Sequence, residues 1–148
     1  MPLILIIGYG NPLRCDDGVG WHAAQELSQK LAAKNVEFIT RHQLTPELAA
    51  EISHADKVFF IDAAREGAPG EVKYEEAAPQ ARSGPFSHEL SPAAVLHAAR
   101  TLFGRAPQAF VISVCGENFG HGEALSPAVA ASLANLAPLV DGLIRGAI

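Results

Sequence analysis

Cysteine is scarce in this chain of 148 residues, with Cys15 and Cys115 the two present. Two such residues far apart build no disulfide framework, and a reducing compartment is the expected home. A basic excess is also missing. The 11 Lys and Arg are outnumbered by 16 Asp and Glu, for a net charge of −5 and a pI near 5.6. That balance argues against nucleic acid or an anionic membrane as the main partner. The apolar start, residues 3–7, is too short to span a bilayer and carries no basic n-region of a signal peptide. The expectation is a soluble cytoplasmic protein with no membrane partner. The nucleotide-binding signatures are absent too. In Gly8-Tyr9-Gly10-Asn11-Pro12-Leu13, leucine stands where G-x-G-x-x-G requires its third glycine, and there is no G-K-[ST].

What is present points elsewhere. Hydrophobic residues make up 49% and charged residues 18%, as in an ordinary globular protein, and the length suits a single domain, 1–148, with a real core. The run Leu3-Ile4-Leu5-Ile6-Ile7 has no polar interruption and reads as a strand buried on both faces of a parallel sheet. Gly8 and Gly10 then allow a sharp turn. Asp16 and Asp17 follow where a helix is expected to begin. Either could cap it, since acidic groups suit a helix N-terminus. Two carboxylates there would repel a pyrophosphate and welcome a cation.

Further elements alternate. Helices are expected over residues 17–33, 46–53, 92–103 and 127–145, the last kinked by Pro138. Strands are expected over 36–40, 57–61 and 109–115, with a short edge strand over 71–74. Val19, Ala23, Leu27 and Leu31 recur every fourth residue as the buried face of the first helix. Leu44-Thr45-Pro46, Leu90-Ser91-Pro92 and Leu125-Ser126-Pro127 each offer a hydroxyl cap and a proline for the first helical position, and Leu90 can staple onto Val95. This alternation predicts an α/β fold, a three-layer sandwich with a mostly parallel central sheet flanked by helices.

In such sheets ligands sit beyond the carboxyl ends of the strands. Asp16 and Asp17, then His42 and Gln43, then Asp62, then residues 115–121 all follow strands and belong to one edge. His88 sits in the long aperiodic segment 75–90, and loops of that length are often functional. Asp17, Asp62 and His88 can meet at this edge, where two carboxylates and one imidazole suit a divalent transition metal. Taken singly, Asp62 reads as a strand-end cap and His88 as a loop histidine. Cys15 is the rival candidate, as a thiol nucleophile, but neighbouring carboxylates oppose its activation. Cys115 reads as a small core residue. His22, His54 and His97 read as surface or packing residues on helices. His121, in a glycine-rich loop, is a candidate substrate contact, and Trp21 fits either core or interface.

Gly8-x-Gly10-Asn11-Pro12-Leu13-x-x-Asp16-Asp17-Gly18-Val19-Gly20 resembles the N-terminal signature of the nickel–iron hydrogenase maturation proteases. The likeness continues through His42-Gln43-Leu44-Thr45-Pro46-Glu47-Leu48, Asp62-Ala63 and Ser87-His88-Glu89-Leu90-Ser91-Pro92, and so covers nearly the whole chain. The resemblance implies an endopeptidase that removes the C-terminal extension of a hydrogenase large-subunit precursor once nickel has been inserted. It implies Asp17, Asp62 and His88 as the metal-binding and catalytic set, with Asp16 as cap or support. Asp17 stands where the family often has glutamate. The resemblance also implies that nickel arrives with the substrate, although zinc or cadmium could occupy the same donors. A monomer is expected. The His42-Gln43 segment resembles the branch that serves NAD-reducing or bidirectional hydrogenases. Two other functions compete: a nickel-binding chaperone or sensor without peptidase activity, and a flavodoxin-like small-molecule binder, which Asp16 and Asp17 oppose.

Overall fold

Uninterrupted apolar runs form the middle of a five-stranded sheet. The computed structural model describes residues 2–31, 33–81 and 90–146. Strands β1 (Ile4–Tyr9), β2 (Val36–Arg41), β3 (Lys57–Ala64), β4 (Val72–Ala77) and β5 (Gln108–Cys115) lie in the order β2-β1-β3-β5-β4. All neighbours run parallel except β4, which pairs antiparallel with β5 as an edge strand. Helices are α1 (Val19–Lys30), α2 (Leu48–His54), α3 (Pro92–Phe103), α4 (Pro127–Ser132) and α5 (Leu136–Ile144).

The two faces of the sheet follow from the alternation of side chains along each strand. Ile4 and Ile6 of β1, Phe59 and Ile61 of β3, and Phe110, Ile112 and Val114 of β5 pack under α1, α4 and α5. Phe59 and Phe110 stack there, with ring centroids 5.5 Å apart. Leu5, Ile7, Val58, Phe60 and Ala109 face the other way, under α2 and α3. The three-layer α/β arrangement expected from the sequence is the one observed. The fourfold spacing of Val19, Ala23 and Leu27 does mark the buried face of α1.

Helix boundaries depart from expectation in informative ways. The last helix is not one rod kinked at Pro138. It breaks into α4, a 3-10 turn over Leu133–Asn135, and α5. Pro138 sits in the first turn of α5, where a missing amide hydrogen leaves no helical bond unmade. The stretch Pro127–Ile144 is apolar enough in composition to cross a membrane, but its Val129, Leu136, Val140 and Leu143 are core residues. The Lys57 ammonium donates to the carbonyls of Leu143 and Ile144 at 2.8 and 2.9 Å, a positive charge at the negative end of α5. Of the three expected hydroxyl caps, only that of Ser91 forms, accepting from the Ala94 amide at 3.1 Å. Leu90 and Val95 share one apolar cluster, as a staple requires. Ser126 turns its hydroxyl elsewhere, and α2 begins at Leu48, past Thr45 and Pro46.

Candidate metal and catalytic cleft

The carboxyl ends of β1, β2 and β3 open into a cleft of about 180 Å³. It is lined by Tyr9, Gly10, Asp17, His42, Gln43, Leu44, Asp62, Ala63 and Leu90. Four sequence-predicted residues therefore meet: Asp17, Asp62, His42 and Gln43. His88 lies outside the described residues, two positions before Leu90 in the chain. A larger groove of about 380 Å³ runs beside α1 and β2, but no carboxylate lines it.

Asp62 lies two residues before the end of β3 and directly opposite Ser113 of β5. Its Oδ1 accepts the Ser113 hydroxyl at 2.6 Å, and its Oδ2 accepts the Tyr9 hydroxyl at 2.8 Å. Burial pushes its pKa above the ordinary carboxylate value. The two hydroxyls oppose that rise, and the nearby charge of Asp17 adds to it. Asp62 is thus a carboxylate held at an energetic disadvantage, which is common at functional sites.

Asp17 reaches the same cleft from the loop after β1. Neither it nor Asp16 caps α1, whose N-cap is Gly18 with no side-chain bond. Instead, both acids lie in a 3-10 turn, Cys15–Gly18. Asp17 Oδ2 accepts the Asn11 amide at 2.8 Å, which closes the loop back on itself. Gly10 makes this possible: at φ 138° it holds a conformation disfavoured for other residues, and a β-carbon there would lie 2.2 Å from the Asp17 carbonyl. Trp21 resolves as a half-buried strut. Its indole Nε1 donates to the carbonyls of Gly10 and Arg41 at 2.9 and 3.1 Å, and its ring meets His42 edge-on at 5.7 Å. One indole therefore ties the ends of β1 and β2 together behind the cleft.

Asp16, adjacent to Asp17, does a different job. It is fully buried. Its Oδ2 accepts the amides of Glu117 and Asn118 at 2.8 and 2.9 Å and the Ser126 hydroxyl at 2.6 Å. Its Oδ1 accepts the Ser126 amide at 2.8 Å. Burial alone would raise its pKa, but the Ser126 hydroxyl and the three amides outweigh burial and hold it below the usual range. Asp16 thus latches the β1 loop to the loop between β5 and α4. Arg14 reinforces the latch through two bonds to the Phe119 carbonyl at 3.2 and 3.0 Å, and the Cys15 amide donates to Gly122 at 2.8 Å.

The remaining candidates separate by environment. Cys15 is buried, and its φ of 49° places it in the left-handed region, so it serves as the corner of the loop. Cys115 is fully buried, as expected, and burial raises its thiol pKa. His121 is exposed and does not line the cleft. His22, His54 and His97 lie on α1, α2 and α3, away from it. Tyr9 and Ser113 escaped the sequence reading. Tyr9 is the unspecified position of Gly8-x-Gly10. Ser113 left a readable signal, because it is the one hydroxyl in the otherwise apolar run Ala109 to Cys115.

Among the described residues, no group of three His, Cys, Asp or Glu side chains forms a ready metal site. Asp17 and Asp62 supply a pair of hard oxygen donors with His42 on the rim, a donor set that suits a divalent ion once further ligands join.

No known family profile and no curated protein sequence matches the chain. Solved structures do. The hydrogenase maturating endopeptidase HybD from E. coli matches with a TM-score of 0.77 and 23% identity, covering 98% of this chain and 93% of the other. A [NiFe] hydrogenase maturation protease, HycI from Thermococcus kodakarensis KOD1, matches with a TM-score of 0.77 and 22% identity, over 97% and 93%. The [NiFe] hydrogenase maturation protease HybD from Thermococcus kodakarensis matches with 0.70 and 23%, over 95% and 98%. The chain has the fold of these proteins across nearly its whole length.

Proposed function

We propose that this protein is an endopeptidase that removes the C-terminal extension of a nickel–iron hydrogenase large-subunit precursor, in the cytoplasm, after nickel has been inserted. The observation that carries the reading is the convergence of Asp17 and Asp62 in one cleft at the carboxyl edge of the sheet, within a fold otherwise shared with hydrogenase maturation proteases. His88 completes the proposed set. Nickel arrives as part of the substrate, and zinc or cadmium would suit the same donors.

The geometry supports a division of labour. Asp17 and Asp62 bind and orient the substrate-borne ion. A divalent cation beside a peptide bond polarises its carbonyl or lowers the pKa of a water. The Tyr9 and Ser113 hydroxyls fix the Asp62 carboxylate, and Asp16 fixes the wall that carries Asp17. A precursor without nickel lacks the group these carboxylates recognise, so it escapes cutting. The substrate of an NAD-reducing or bidirectional enzyme is the form proposed, on the likeness of His42-Gln43.

The test is co-expression with a precursor large subunit, with and without nickel, followed by mass spectrometry of the precursor. Shortening that needs both nickel and this protein supports the proposal. Stable nickel-dependent association without shortening would instead establish a chaperone or sensor.

A further inference from the structure

The Asp62 carboxylate is gripped from both sides. Ser113 reaches Oδ1 from β5 at 2.6 Å, and Tyr9 reaches Oδ2 from the end of β1 at 2.8 Å. The three residues lie on three adjacent strands, β1, β3 and β5. A carboxylate otherwise rotates freely about its last side-chain bond, because torsions of this type have broad wells. A hydroxyl on each oxygen, with the Asp62 backbone N–H as a third donor, fixes the plane. The two oxygens offer about four acceptor sites between them, and the two hydroxyls and the Asp62 backbone N–H take three, which leaves room for one further partner. All three donors are neutral, so no fixed positive charge competes with an arriving cation. Outer partners of this kind orient metal-binding side chains and set their affinity.

We propose that Tyr9 and Ser113 are positioning residues, which lock the Asp62 carboxylate in the orientation that takes up a divalent cation alongside Asp17. The inference rests on the functional reading above for the identity of the ion. It goes beyond that reading by assigning metal affinity to two hydroxyls that do not touch the ion. A purely structural role is the competing explanation: two hydroxyls satisfying a buried acid. That role predicts changes in stability. Positioning predicts changes in affinity that restoring the hydroxyl reverses.

The experiment is a titration of the purified protein with Ni²⁺, read by paramagnetic broadening of backbone amide resonances around the cleft, which reports weak binding up to millimolar concentrations. Tyr9→Phe and Ser113→Ala should each raise the dissociation constant by roughly 10–100-fold. Ser113→Thr keeps the hydroxyl and should restore near-wild-type binding. Thermal unfolding of each variant is recorded alongside, so that lost affinity is compared only among folded proteins. Asp17→Ala is the control for the site itself. If Asp17→Ala abolishes broadening while Tyr9→Phe and Ser113→Ala bind nickel as the wild type does, the positioning role is overturned and the site stands. Failure of Ser113→Thr to restore what Ser113→Ala loses would also overturn it. If the wild type shows no broadening, or Asp17→Ala leaves it unchanged, the cleft does not take up the free ion and the inference is overturned, while the functional reading, in which the ion arrives with the substrate, is decided separately by the precursor-shortening test.

Discussion

Gly8 lies so close to the Gly20 carbonyl that a β-carbon on Gly8 would sit 2.0 Å from that oxygen. Strand β1 and helix α1 therefore touch backbone to backbone at the point where the chain turns toward the cleft. Neither backbone segment can yield without moving the sheet or the helix. Gly8→Ala is expected to cost about 3 kcal/mol or more, at the upper end for overpacking. Differential scanning calorimetry should show a melting temperature lower by roughly 10 °C, or no cooperative transition at all. An unfolding curve close to wild type would mean that the contact is far softer than its geometry.

Asp16 gives a prediction whose sign depends on pH. Its folded pKa lies below the ordinary value of 3.8. Its stabilising contribution is thus complete above that value and is lost as pH falls through the folded pKa. Asparagine would set an NH₂ or a single acceptor against four donors. Asp16→Asn should therefore lose about 2–4 kcal/mol at neutral pH, given that bonds to charged groups are the strong ones. Urea unfolding of the metal-free protein should show that gap narrowing below pH 3.8. A gap independent of pH would contradict the latch as a charged one.

Asp62 has the opposite sign. Its folded pKa is raised, so ionised Asp62 opposes folding above that pKa, and the penalty disappears as pH falls through it. The Tyr9 and Ser113 hydroxyls can each rotate to meet an amide. Asp62→Asn should therefore be at least as stable as the metal-free wild type at neutral pH, with the difference shrinking in acid, while precursor cleavage is lost. Marked destabilisation at neutral pH would show the acid to be structural.

His88→Ala tests the third member of the set from outside the described residues. Cleavage of nickel-loaded precursor should fall below detection, while the melting temperature stays near wild type. Retained cleavage would remove His88 from the site.

Cys15 is buried at the left-handed corner of the signature loop. A nucleophile needs access to its substrate, and metal-assisted hydrolysis needs no thiol. Cys15→Ser should process precursor at close to the wild-type rate in a time course followed by mass spectrometry. A folded Cys15→Ser protein that binds precursor without cutting it would make the thiol the attacking group.

Much of this was legible in the sequence because the signals are local. The apolar runs Ile4 to Ile7 and Phe110 to Cys115 mark strands buried on both faces, and the strand ends mark one edge. The meeting of Asp17, Asp62, His42 and Gln43 follows from that rule alone. The roles of the paired acids were not fully legible. Asp16 and Asp17 look alike in sequence, and what separates them is the Ser126 hydroxyl and three amides from distant loops. The Leu-Ser-Pro motif at Ser126 suggests a helix cap for the same reason: as a cap its hydroxyl would accept from a helix amide, but here it donates to the buried Asp16 carboxylate. Tyr9 was missed because its neighbours, two glycines, carry the obvious pattern. The break before α5 was misplaced because Pro138 disrupts a helix only when four residues of helix precede it.

The Asp16 latch joins groups 110 positions apart along the chain. Closing so long a loop is entropically costly, and contacts of this range form late in folding. A nascent chain that has emerged only as far as Cys115 already contains every strand of the sheet. It does not yet contain Glu117, Asn118 or Ser126, so the buried Asp16 carboxylate has none of its four donors. The β1 loop is thus tied to its neighbour only when the segment that leads into the last helices has been made.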